Sequence, residues 1–228
     1  MEKTNDSLRD KWANLGIAFV AQSKIKNADP ELTLLESLKY LHEDRKLLKL
    51  IITWLNEFGD LLHTERVKSL GKNLTALEHA WLGVLADYMV QSRGDIRFKS
   101  LRDLMQKHLG QTPPWFEQTK LQELQYEKEL SKGSHPAGAN FGLRITQSDL
   151  IGDSKKLLDK NITLKGNLWL RMRLLFGCTW RADMCTVILL ELACNYYQAR
   201  KVLGCSIETA HRNWNALKEV NVREILKI

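Results

Sequence analysis

The chain has 228 residues, 44% of them apolar and 27% charged, with 4 Pro and 13 Gly, a make-up that excludes extensive disorder and suits one large core or two modest ones. Its longest apolar stretches, Val187-Ile188-Leu189-Leu190 and the run from Leu47 to Leu55, fall short of the ~20 residues that span a bilayer. The polar N-terminus, Met1 to Asp6, lacks the apolar segment of a secretory signal, so a cytoplasmic location without membrane contact is expected. The net charge of +7 is uneven, because residues 1–160 carry 24 basic against 22 acidic side chains and residues 161–228 carry 10 against 5. Such a basic segment is the footprint of a module that neutralises phosphates.

The pattern is helical nearly throughout residues 1–132. A first helix is predicted from Ser7 to about Lys26, with Leu8, Trp12, Leu15, Ile17, Phe19 and Val20 supplying an apolar stripe. Asp29-Pro30-Glu31 then places a capping side chain, a proline at the first helical position and an acid in the first turn. Leu32, Leu35, Leu38 and Leu41 follow at three-residue spacing. The next helix runs through Lys46 to Phe58, where Gly59 ends it. Another opens at Asn73 to Glu78, faces Leu77, Trp81, Val84, Leu85, Tyr88 and Met89 one way, and stops at Ser92-Arg93-Gly94. Shorter helices fit Phe98–Leu109 and Trp115 to about Leu130. Together these predict a helical bundle for sensing, dimerisation or partner binding.

Residues 133–165 read as a loop or hinge, because glycines, a proline and small residues dominate its first part; Leu143–Thr146 and Asn161–Leu164 are predicted as short strands. Helix resumes near Asn167. In residues 166–228, Ala182 to Leu192 forms a buried helix, Asn195 caps a second with Gln198 three residues on, and Gly204 closes it. Ser206 opens a third helix, Ile207 to about Val220, with Ile207, Ala210, Trp214 and Leu217 on its inner stripe. Glu208, Thr209, Arg212, Asn213 and Asn215 fall outside that stripe. Arg212, Asn213 and Thr209 suit base edges, since Arg pairs bidentately with guanine, Asn with adenine, and Thr meets a thymine methyl. Tyr197, Arg200, Lys201 and Lys218 suit phosphates, which set register without reading sequence.

The run Leu203-Gly204-Cys205-Ser206-Ile207-Glu208-Thr209-Ala210-His211-Arg212, ending in Ala216-Leu217, resembles the helix-turn-helix of bacterial winged-helix regulators. Arg171-x-Arg173-Leu174-Leu175-Phe176-Gly177, followed by Arg181-Ala182-Asp183, looks like the lead-in helix of such domains. The resemblance covers residues 166–228 and implies a mainly α fold, an N-terminal helical bundle plus a C-terminal winged-helix-like domain. It further implies a transcriptional regulator that docks its third helix in the major groove of double-stranded DNA, as a homodimer. A protein or small-molecule effector would act at the N-terminal domain, with no cofactor. Four residues before the glycine, where these proteins often carry a small residue, stands Arg200, with Ala199 one place earlier. Only Asn221 to Ile228 remain for a wing, unless Asn161–Leu164 supplies a strand. The same trihelical unit also serves as a non-catalytic protein-interaction scaffold, which predicts no salt-sensitive duplex binding.

No phosphate-cradling glycine loop, nucleophile elbow or HExxH pattern occurs. Arg102 and His108 resemble the Arg–His signature of helical HEPN ribonucleases, the one catalytic constellation to weigh against an otherwise plain amphipathic helix. The four cysteines lie 7, 9 and 11 residues apart without a CxxC pair and read as buried thiols, a metal site with His211 being the alternative. His42, His63 and most of the seven tryptophans read as packing residues.

Overall fold

A computed structural model of the chain describes residues 6–19, 24–110, 115–116 and 135–226. The fold is mainly helical, and no strand forms among the described residues; Ile17 and Leu157 make an isolated antiparallel bridge. No described helix is long and apolar enough to cross a membrane.

Local signals set most helix ends. Helix α1 (Asp6–Asn14) is shorter than its apolar pattern suggests, because Gly16 turns the chain at φ 101° under the Thr163 side chain and sends Ile17 to its bridge. Asp29 caps α2 (Pro30–Leu38) by accepting from the Leu32 N–H, and Asp44 does the same for α3 (Arg45–Phe58) through Lys46 and Leu47. Gly59 ends α3 as expected, and α4 (Thr64–Leu70) runs on into a single 3-10 turn, Gly71–Asn73. A complete capping box joins Thr75 and Glu78 at the start of α5 (Ala76–Arg93). Helix α6 (Lys99–Leu109) lies along α5. Of the helix expected from Trp115 to Leu130, all but Trp115 and Phe116 lie outside the described residues.

The strands expected in residues 135–165 do not form. These residues form α7 (Pro136–Ala139), two short 3-10 turns and α8 (Lys160–Gly166), and the stretch 161–164 is helical. Ala137, Phe141, Leu143, Ile145, Leu150 and Leu164 are buried in the same core as α1–α6. Apolar side chains every few residues leave this segment no stable place in water, whatever its glycine content.

The C-terminal part comprises α9 (Leu168–Phe176), α10 (Trp180–Leu189), α11 (Tyr196–Leu203), α12 (Ile207–Glu219) and α13 (Val222–Leu226). Helices α10, α11 and α12 pack pairwise around a second core of Met172, Met184, Val187, Ala199, Leu203, Ala210, Trp214 and Leu217. Since α13 occupies 222–226 and α8 occupies 160–166, neither expected source of a wing supplies a strand.

The two cores meet at a buried ion network. Arg173 of α9 donates from Nη1 and Nη2 to both carboxylate oxygens of Glu31 (2.7 and 2.6 Å) and from Nε to Asp183 of α10 (2.7 Å). Glu31 also accepts from Arg66 Nη1 (2.8 Å) and the His63 N–H (2.9 Å), while His63 Nδ1 lies 2.6 Å from Asp183. Arg66 completes its fork on Asp29, and both guanidinium groups lie near the Trp169 ring, 4.5 Å from its centre for Arg66 and 5.7 Å for Arg173. Burial alone would push the Asp183 carboxyl up, but Arg173, with smaller help from His63 and Arg66, holds it well below the usual carboxylate range. Burial opposes the charge on Arg173 too, and Asp183 and Glu31 outweigh it.

Candidate nucleic-acid interface

The α11–turn–α12 unit is built as its sequence reads. Asn195 caps α11 by accepting from the Gln198 N–H, and Gln198 Oε1 accepts from the Cys194 N–H, one residue short of a strict capping box. Gly204 ends α11 in the left-handed region at φ 76°, donating its N–H to Arg200 O. Ser206 then caps α12 through the Thr209 N–H. Ala199 takes the fully buried place against α12, which leaves Arg200 exposed; the small residue simply stands one position earlier than the family pattern has it.

The turn itself rests on the N-terminal core. Ser69 Oγ donates to Gly204 O, Arg66 Nη2 donates to Val202 O (3.3 Å), and Leu70 Cδ2 would stand 3.0 Å from a Cβ on Gly204. Gly204→Ala therefore combines left-handed strain with a tight contact. It is expected to cost about 1–2 kcal/mol, read as a lower urea midpoint at unchanged m-value.

Of the residues expected at phosphates, Tyr197, Arg200, Lys201 and Lys218 are all exposed. Lys201 Nζ lies 5.2 Å from the Tyr197 ring centre, and Lys218 stands over Trp214 at the far end of α12. None of the three cations has a carboxylate within 4 Å among the described residues. Of the residues expected at base edges, Arg212 is exposed and Thr209 half-buried. Asn213, expected there too, does not lie on the exposed face. It is only 6% exposed, and its Nδ2 donates to Thr209 O (2.8 Å), because a position three after Ala210 and four before Leu217 borders the inner stripe.

Sequence reasoning also passed over a surface chain on α12. His211 packs edge-on against Tyr196 with ring centres 5.0 Å apart, and its Nε2 meets Asn215 Nδ2 at 3.1 Å. The i, i+4 spacing of His211 and Asn215 was a usable signal. Tyr196, Ile207, Thr209, His211 and Arg212 line an open groove of about 460 Å³ along the start of α12. Glu208 also lines it, and its own backbone N–H, the Ser206 hydroxyl and Arg200 keep its carboxyl below the usual range.

The other candidates fall elsewhere. Arg102 and His108 both lie on α6; Arg102 pairs with Asp103 (2.9 Å) and Asp87 (3.5 Å), and the exposed His108 stacks on His79 with centres 4.5 Å apart. Cys185 and Cys205 are buried in the second core, but Cys178 is half-buried and Cys194 exposed, so the thiols are not uniformly internal. No cluster of three metal-ligating side chains occurs among the described residues. Trp12, Trp54, Trp81, Trp169 and Trp214 are buried, whereas Trp115 is 62% exposed. No family model, curated protein or solved structure matches the chain.

Proposed function

We propose that this protein binds double-stranded DNA through the exposed face of α11 and α12 and acts as a transcriptional regulator. The observation that carries the reading is the capped α11–turn–α12 unit, whose solvent side presents Arg200, Lys201 and Arg212 with no carboxylate within 4 Å among the described residues. Arg200, Lys201 and Tyr197 engage the phosphate backbone, and Lys218 engages it at the other end of α12. Arg212 and Thr209 approach base edges, and Asn215 with His211 replaces Asn213 as the polar pair beside Arg212. The ionised Glu208 repels a phosphate from the N-terminus of α12, which favours phosphates on the α11 side. A homodimer presents two such helices to two half-sites, because one helix covers only a few base pairs.

The test is fluorescence anisotropy on a labelled duplex of mixed sequence, titrated with protein at several salt concentrations from about 50 mM upward. Binding is expected to fall steeply with salt. Changing Arg200 and Lys201 together to alanine is expected to weaken it for every sequence and to reduce the slope of log affinity against log salt by about two, one unit for each phosphate no longer neutralised. Absence of salt-sensitive duplex binding in the wild-type chain overturns the reading.

A further inference from the structure

The contacts that seat the turn on the N-terminal core come from one face of one element. Helix α4 and its 3-10 extension run without a break from Thr64 to Asn73. Arg66, Ser69 and Leu70, which touch Val202 or Gly204, are spaced i, i+3, i+4, as neighbours on a helical face must be. In 3-10 geometry residues three apart eclipse, so Lys72 stands one turn beyond Ser69, about 6 Å further along the axis. Asn73 stands likewise beyond Leu70. Gly71 between them is buried, and a Cβ on it would point at Leu74, Leu35 and Leu82 of the core. That fixes the rotation of the turn: Gly71 faces in, while Lys72 and Asn73 are exposed. Lys72 has no carboxylate within 4 Å among the described residues, whereas Lys68, one turn earlier, is tied to Glu65 and Ser100.

We infer that the N-terminal core is itself part of the DNA interface, with Lys72 binding a backbone phosphate beside the phosphates held by Arg200 and Lys201. This rests on the proposed function. The occupant is duplex backbone because the exposed side chains on the two elements joined by these contacts are cations and an amide rather than an apolar surface: Lys72 and Asn73 beyond Ser69, and Arg200 and Lys201 on α11. A lysine ammonium acts as a point charge on a phosphate and needs no fixed bidentate geometry, which suits a contact at the margin of the interface. The Ser69–Gly204 and Arg66–Val202 bonds then have a functional consequence. They hold Lys72 in register with the turn, so that one approach to the duplex engages both parts of the chain.

The experiment uses the full chain with Lys72→Ala and Lys72→Glu in the same anisotropy titration. Lys72 is exposed on a turn, so both variants are expected to melt within about a degree of wild type, consistent with the small effect of ordinary surface substitutions. Lys72→Ala is expected to lower the salt slope by about one and to weaken binding equally for duplexes of different sequence; Lys72→Glu is expected to weaken it further. Lys155→Ala, on the Ser154–Lys156 turn that packs against α3, serves as the control and is expected to match wild type. Wild-type binding with an unchanged slope in Lys72→Ala overturns this inference and leaves the role of α11 and α12 standing. An equal loss in Lys155→Ala shows that net charge alone acts, which also overturns it. No duplex binding by the wild-type chain removes both.

Discussion

Replacing Arg173 by alanine is expected to lower the stability of the folded chain by about 3–5 kcal/mol, the usual cost of leaving buried charges without their partner. Arg173 is fully buried and supplies three short hydrogen bonds to Glu31 and Asp183. Without it those carboxylates face each other across a cavity where Arg66 and His63 are the remaining basic side chains bonded to them among the described residues. In a chain of this size the loss corresponds to a fall in Tm on the order of 10 °C. Arg173→Lys is expected to recover only part of it, since one ammonium cannot reproduce a fork that spans two carboxylates.

The pH dependence separates the ionic account from simple loss of volume. In the wild type, Asp183 titrates below its unfolded value of about 3.9, so its stabilising contribution is complete above that pH and is lost as pH falls through the depressed native value. In Arg173→Ala the stranded carboxylates are relieved by protonation. The gap between variant and wild type, measured by urea denaturation, is therefore expected to narrow from pH 7 to about pH 4. A gap that stays constant over this range would mean that lost packing, not uncompensated charge, sets the cost.

The second large effect concerns Gly83 and Phe141. Gly83 lies in the middle of α5, where alanine is ordinarily favoured by up to about 1 kcal/mol. Here a Cβ would fall 2.2 Å from Cε1 of the Phe141 ring, inside any permissible contact. Gly83 is buried on α5 and Phe141, in the first core, is 1% exposed, so the ring has no solvent to move into. Gly83→Ala is expected to destabilise by about 1–3 kcal/mol through overpacking, and Phe141→Ala by about 3–5 kcal/mol through the cavity it leaves. The double variant is expected to cost clearly less than the sum, with a coupling of about 0.5–3 kcal/mol, because the new methyl enters space the ring has vacated. Additive effects would place Phe141 away from Gly83 and return residues 135–150 to the role of a loosely attached segment.

The features legible in the sequence are those decided within a few residues. Asp29, Thr75 with Glu78, Asn195 and Ser206 all cap the helices they precede, because the donors they satisfy lie two or three residues away. Gly204 is equally local. The α11–turn–α12 unit was readable for that reason, and so was the exposure of Arg200, Lys201 and Arg212.

Other features depend on partners distant in the chain. Glu31 reads as a first-turn acid suited to the helix dipole, yet it is fully buried, 142 residues from the Arg173 that neutralises it. Arg173 and Asp183 each interrupt an apolar run, a hint of buried charge that says nothing of where the opposite charge lies. Residues 135–165 read as a loop because glycine content reports local flexibility, while the burial of Phe141, Leu143 and Ile145 comes from packing into the core that α3 and α5 share. Asn213 misread because its polarity suggested the outer face, although its angular position lies beside the stripe and the α12 carbonyl of Thr209 satisfies its amide.

Capping, periodicity and net charge over short spans were thus enough to establish the helical class, several of the helix ends and the α11–turn–α12 unit with its exposed cations. Packing between distant segments was needed to join that unit to the N-terminal core, through a buried ion network and a hydrogen-bonded turn. The physical reason is range: capping and periodicity act over one or two turns, whereas the compensation of a buried charge and the filling of a core depend on groups that meet only once the chain has folded.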